Sequence, residues 1–187
     1  MSPCGVVSLL DRNATEKVAR TWARLEQEFG VRGVLAMPYP HFSYQIAQGY
    51  ERPALDDTLT RLARGTPPFT ATTSGIGTFE GGWPVVYVAV EAPPALRDLH
   101  ERIWNACQPH VREPVGYYRP GTWVPHISLA HGDEHNTVPL PPETIARILA
   151  TLDPPEYRWS IRIDNLALVW DEGEIQRPVA TFRLHAA

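Results

Sequence analysis

Apolar positions along the chain fall into two periods. The run "GVVSLL" (5–10) is almost continuously apolar and predicts a strand. Downstream, Val18, Trp22, Leu25 and Phe29 recur at steps of four, three and four, the spacing of one helix face. That predicts a helix over 14–30, with Gly30 and Gly33 marking its end. A strand follows at "HFSYQIA" (41–47), then a helix over 53–65 with proline near its start and glycine at its stop. The segments "FTATTSGIGTF" and "PVVYVAVEA" flank the glycine-marked turn "EGGWP" and read as two strands.

From "PVVYVAVEA" onward the same order recurs. A helix over 94–107 carries Leu96, Leu99, Ile103 and Cys107 on one face. After a loop come the strand "HISLAH" (126–131), a helix over 141–153, and long strands over 157–170 and 177–185. Each half therefore reads strand, helix, strand, helix, strand, with one last strand at the end. The offset between matching elements grows from 79 to 85 positions, a drift that changes in loop length absorb. This pattern predicts one domain over 1–187 built by internal duplication, its two pseudo-symmetric lobes falling near 1–80 and 81–187. Two such α+β lobes meet along a cleft, and clefts between lobes are preferred ligand sites.

Composition narrows the picture. The chain has 187 residues, 43% of them hydrophobic and 20% charged, as in ordinary globular proteins. A formal net charge of −4 argues against coating nucleic acid through bulk charge, but allows a local pocket for one phosphate. Cys4 and Cys107 are too few for a disulfide framework and lack metal-ligand spacing. The N-terminus has no basic region ahead of its apolar run, which Asp11 breaks, so no targeting segment is expected. The longest uninterrupted apolar stretch, "VVYVAV", is far short of the ~20 residues of a membrane helix. The expectation is a cytoplasmic protein without membrane contact, and nothing in the sequence implies an obligatory protein partner.

The candidate chemistry lies in two strands. "PHFSY" and "PHISL" place His41 and Ser43, then His126 and Ser128, in the same apolar frame 85 positions apart. Side chains alternate across a strand, so each histidine shares a face with its serine while Phe42, Tyr44, Ile127 and Leu129 point the other way. Two imidazoles and two hydroxyls suit cleavage of a phosphodiester. One neutral histidine takes a proton from the attacking hydroxyl or water, and one cationic histidine gives a proton to the leaving oxygen. The serine hydroxyls stabilise charge on the phosphate oxygens, and the scheme needs neither metal nor cofactor.

His-x-Ser/Thr alone is a weak signal. Seven histidines and 20 serines and threonines predict about 0.7 matches by chance in this chain, and it has three. The third, His135-Asn136-Thr137, sits in a polar stretch and reads as a loop. Shared proline, apolar flanks and equivalent places in the repeat distinguish the other two. On these two motifs the chain resembles the two-histidine (2H) phosphoesterases, and "WVPHISLAHG" is particularly similar to the second motif of their LigT-like branch, the RNA 2′,3′-cyclic phosphodiesterases also called 2′-5′ RNA ligases. The resemblance implies an α+β, bilobal fold of two antiparallel β-sheets around a central cleft with helices outside. It also implies His41, Ser43, His126 and Ser128 around one phosphate, and a partner that is a nucleotide or RNA terminus bearing a 2′,3′-cyclic phosphate. Many relatives carry threonine where this chain has serine, a mild change that keeps the hydroxyl.

The loop "PHVREPVGYYRPGTWVP" ahead of the second motif mixes arginine with aromatic residues, a combination that suits a nucleobase and its phosphate. Tyr118 and Arg119 are its candidate substrate contacts. The histidines at 100, 110, 131, 135 and 185 read as surface or structural. A rival metal site of His126, His131 and His135 with Asp133 or Glu134 fits no common zinc spacing. The glycines of "GIGTFEGG" lack the lysine and hydroxyl of a phosphate loop and are explained by a hairpin. Two other functions stay open at this point: a nucleotide- or RNA-end-binding module without turnover, and a metallohydrolase.

Overall fold

The computed structural model describes residues 4–32, 34, 37–81, 84–132, 140–171 and 176–185. The expected glycine at 33, part of the "EGGWP" turn, the third His-x-Thr and the acidic pair at 133 and 134 lie outside the described residues.

The chain opens with β1 (Cys4–Leu9), α1 (Arg12–Phe29), β2 (His41–Tyr50), α2 (Ala54–Arg64) and β3 (Phe69–Phe79). It continues with β4 (Val85–Val90), α3 (Pro94–Cys107), β5 (Val111–Pro114), β6 (His126–His131) and α4 (Pro142–Thr151). β7 (Ser160–Ile163), β8 (Asn165–Asp171) and β9 (Gln176–Arg183) complete it. The strands form two antiparallel sheets, ordered β5-β2-β1-β8-β9 and β6-β4-β3-β7. The His-x-Ser strands β2 and β6 come into contact where the sheets meet.

Local chemistry explains the element ends. Asp11, read from sequence as a break in an apolar run, is the N-cap of α1: one carboxylate oxygen accepts from the Ala14 N–H at 3.0 Å. Its other oxygen accepts from the Arg162 N–H at 2.9 Å, tying the helix start to β7. Gly30 ends the helix at φ 68, a left-handed conformation that glycine adopts without strain. Helix α1 packs on β6 and α4, whereas α2 and α3 pack on each other and on strands of the first sheet. Most of the apolar core, including Val18, Leu25, Phe42, Tyr44, Leu55, Leu99, Ile127 and Leu129, lies in one continuous cluster. A second, smaller cluster of Val7, Met37, Ala167 and Val169, with Leu9 against it, stands apart from it.

Two expectations need correction. The region 157–170 is not one long strand: a 3-10 turn (Pro154–Tyr157) precedes β7, and β7 and β8 belong to different sheets. The break at Asp164 is held by Asn165, whose amide accepts from Leu9 N–H at 3.0 Å and donates to Leu9 C=O at 2.9 Å. A continuous β-favouring sequence conceals that exchange, because the pattern reports strand propensity and not partner. Likewise the loop before the second motif contains β5, which extends the edge of β2 at Ala47 to Tyr50.

The sheets do not divide the chain at its midpoint. β3 joins the sheet of the second motif, while β8 and β9 return to that of the first. In order of position, β2-β1-β8-β9 corresponds to β6-β4-β3-β7, so each His-x-Ser strand has an equivalent neighbour.

Candidate active site

Each motif is built in the same way. Proline restricts its preceding residue to extended backbone, and that residue's carbonyl then meets the following histidine. The Tyr39 carbonyl lies 2.7 Å from Nδ1 of His41, and the Val124 carbonyl lies 2.8 Å from Nδ1 of His126. A carbonyl can only accept, so both rings carry their proton on Nδ1 when neutral. Nε2 of each is left as the atom able to take or give a proton. The proline carbonyls are matched too, Pro40 accepting from Leu10 N–H at 3.0 Å and Pro125 from Val90 N–H at 3.1 Å.

Both strands then carry a bulge one residue beyond the serine. Val7 faces Ser43 and Val6 faces Gln45, leaving Tyr44 as the extra residue. Tyr87 faces Ser128 and Val86 faces Ala130, leaving Leu129 extra. A bulge reverses the alternation of faces. In β2 it sends Gln45 into the core, where its amide has no hydrogen-bond partner among the described residues, and leaves Gln48 exposed. The same reversal brings Ile46 and His131 to the face that carries the two motifs' histidines and serines.

An indole secures each serine's backbone. Trp123 Nε1 donates to the Ser43 carbonyl at 2.8 Å, and Trp22 Nε1, from α1, donates to the Ser128 carbonyl at 3.0 Å. The first half of β2 and all of β6 are strand edges, so these N–H groups stand where a further strand would pair. Trp123 is stacked between Tyr44, at 5.9 Å and 23°, and His100, at 3.9 Å and 8°. Buried His100 donates from Nε2 to the Tyr118 carbonyl at 2.8 Å. The Tyr118 side chain in turn lies beside the Ser43 hydroxyl.

Burial governs the electrostatics. Desolvation lowers His41 to about 4; its bond to Tyr39 opposes this, and the neighbouring charge of His126 adds to it. His126 is also lowered, first by burial and against the pull of its bond to Val124. Tyr118 is pushed up to about 12 by burial, with the neighbouring Ser43 hydroxyl acting in the other direction. At neutral pH the cleft therefore holds two uncharged imidazoles and a neutral phenol.

The structure thus brings His41 and His126 into electrostatic contact and Tyr118 beside Ser43, while Ser128 lies on the face of His126. Arg119 is exposed, and among the described residues no hydrogen bond or ion pair links it to either motif. His110 bonds Thr58 at 3.3 Å, away from the motifs. Of the rival metal group only His126 and His131 are described, and among the described residues no three metal-binding side chains converge. Sequence reasoning gave no role at the site to His100, Trp22, Tyr44, Phe79 or Tyr87. The period marked Trp22 only as a buried helix position, and Trp123 lies in a loop, so neither pointed to the strand it serves.

Residues 14–174 match the model of the 2′-5′ RNA ligase superfamily. Among solved structures, TT0787 of Thermus thermophilus is similar at TM-score 0.66 and 20% identity, with 99% of each chain covered. E. coli LigT in apo form is similar at TM-score 0.66 and 20% identity, covering 98% of this chain and 97% of LigT. LigT complexed with 3′-AMP gives 0.63 and 19%, covering 98% and 99%. No curated protein matches. These likenesses establish the fold of two antiparallel sheets around a cleft, and the family match establishes the lineage. The chain belongs to the 2′-5′ RNA ligase superfamily of two-histidine phosphoesterases.

Proposed function

We propose that this phosphoesterase opens 2′,3′-cyclic phosphates at RNA ends or on nucleotides, with His41 and His126 as the acid–base pair. The observation that carries the reading is the matched histidine geometry: each Nδ1 is committed to the carbonyl two residues earlier, which leaves two Nε2 atoms for proton transfer.

In the reaction one Nε2 accepts a proton from water as its oxygen forms the new bond to phosphorus. The bond from phosphorus to the 2′ or 3′ oxygen breaks, and that oxygen takes the proton of the other, cationic Nε2. The product is a phosphomonoester, and the pair is left with its protonation exchanged. The arriving phosphate supplies the negative charge that favours the cationic partner in a site where burial alone favours neutral rings. Ser43 and Ser128 bind the non-bridging oxygens, with Tyr118 beside Ser43. Arg119, with an exposed guanidinium, is assigned to a flanking phosphate or base of the substrate. The complex of LigT with 3′-AMP supports a nucleotide as ligand. Run in reverse on two held ends, the same site joins them, and ligation is secondary.

The test is hydrolysis of 2′,3′-cyclic AMP, then of a cyclic-phosphate-ended oligonucleotide, in EDTA. Turnover should survive the chelator and fall about 10²–10⁴-fold in His41→Ala and in His126→Ala. Loss of activity in EDTA would assign the reaction to a metal. Binding of the oligonucleotide without turnover would make the chain a binding module.

A further inference from the structure

The geometry points to a nucleobase shelf beside His126, made of Tyr87 and Phe79, that holds the base of the nucleotide whose phosphate lies between the histidines. This rests on the phosphoesterase reading above. In β4 the even positions Val86, Val88 and Val90 are buried, while Val85, Tyr87 and Ala89 are half-buried. Tyr87 is paired with Ser128 and Ala89 with His126, so the half-buried row shares the face of the second motif. Across the other edge of β4, Tyr87 is paired with Gly77 of β3. A Cβ at Gly77 would sit 2.6 Å from Cε2 and Cζ of the Tyr87 ring and 2.7 Å from its hydroxyl oxygen. Three atoms of the side chain at nearly one distance mean that the ring lies flat over the glycine backbone, a position no other residue at 77 would permit.

Phe79 extends the surface. Its ring lies 4.3 Å from that of Tyr87 and meets His126 edge to face at 4.9 Å and 87°. Tyr87 itself is 5.4 Å from His126. Two half-buried rings therefore adjoin the imidazole and the hydroxyl assigned to phosphate, next to the small side chain of Ala89. Aromatic surface next to an anion site is the combination that recognises a nucleotide, base on ring and phosphate on polar groups. In the first sheet the cross-strand neighbours of the motif are aliphatic. There the partners of His41 and Ser43 are Leu9 and Val7, and Val7 clusters with Met37, Ala167 and Val169.

The competing role for the rings is to hold the His126 imidazole in place, and ligand binding separates the two. Calorimetric titration with 3′-AMP and with inorganic phosphate would be run on wild type, Tyr87→Ala, Tyr87→Phe and Gly77→Ala, each checked for folding by circular dichroism. Tyr87→Ala should weaken 3′-AMP about tenfold and change phosphate less than about twofold. Gly77→Ala, which displaces the ring without removing it, should give the same pattern, and Tyr87→Phe should retain wild-type affinity. Equal losses on both ligands would make the rings a support for His126 and overturn the shelf, as would unchanged 3′-AMP affinity in Tyr87→Ala. Wild-type protein that bound neither ligand would remove the phosphate site itself, and the shelf with it.

Discussion

Replacing Trp123 by phenylalanine isolates one bond of the first motif. The smaller ring keeps an aromatic face between Tyr44 and His100 but removes the N–H that reaches the Ser43 carbonyl at 2.8 Å. That carbonyl lies on the part of β2 without a partner strand on its outer side, next to a buried serine, so no ladder bond replaces the indole. An acceptor left unpaired under such burial costs about 1–3 kcal/mol, and trimming the indole adds a smaller packing loss. For a domain of this size each kcal/mol lowers Tm by about 2–4 °C. Urea unfolding should show a reduced midpoint with an unchanged slope, which marks a loss of stability and not a change in compactness. Because the bond fixes the serine two residues from His41, kcat on a cyclic nucleotide should fall as well, on the order of tenfold or more. Trp22→Phe, made at the equivalent position on Ser128, should behave alike. A Trp123→Phe protein within about 0.3 kcal/mol of wild type and with unchanged kcat would refute the idea that the indole stands in for a strand. A stability loss with normal kcat would leave the bond structural and detach it from the site.

Other outcomes follow from the same contacts. Since His41 is lowered to about 4 and His126 is lowered too, the free enzyme loses its cationic partner as pH rises. The pH profile of kcat/KM should then peak on the acid side of ~6.5, the ordinary histidine value, and a peak above about 7.5 would contradict the burial argument. The same depression means that the unfolded chain binds the His41 proton first. Stability should therefore fall as pH drops from about 6.5 toward 4, by a few kcal/mol at most, and His41→Phe should flatten that limb in denaturant titrations. Tyr118→Phe removes the hydroxyl beside Ser43 and should lower kcat more than it raises KM, whereas an unchanged kcat would separate the loop from the serine. Arg119→Ala should raise KM for an oligonucleotide severalfold and leave kcat alone, and identical KM values would end its assignment to substrate.

Much of the fold is legible because it follows from periodicity. Val18, Trp22 and Leu25 are buried as their spacing requires, and α3 occupies the expected residues with Leu96, Leu99, Ile103 and Cys107 inside. The two His-x-Ser strands hold equivalent places in their sheets, and we read their matched bulges at Tyr44 and Leu129 as signs of duplication. Strand partnership was not legible. The run 157–170 looks continuous because its β-favouring pattern carries on past Asp164, yet Asn165 turns the chain into another sheet by bonding to β1. The two histidines and serines stood out as a repeated short pattern. Their supports did not, because contacts such as Trp22 to Ser128 span 106 positions and depend on where a helix packs. His100 is the plainest case. The sequence reads it as surface or structural, and only the fold reveals that it lies on Trp123 and holds the Tyr118 backbone.

The central claim is that the two imidazoles act in one chemical step, and the most direct measurement is the rate of 2′,3′-cyclic AMP cleavage by His41→Ala, His126→Ala and the double variant. Groups that work as a unit are not additive, so the double variant should be about as slow as the slower single variant. A double variant slowed by the product of the two single losses would mean that the histidines contribute independently, and would contradict the paired mechanism.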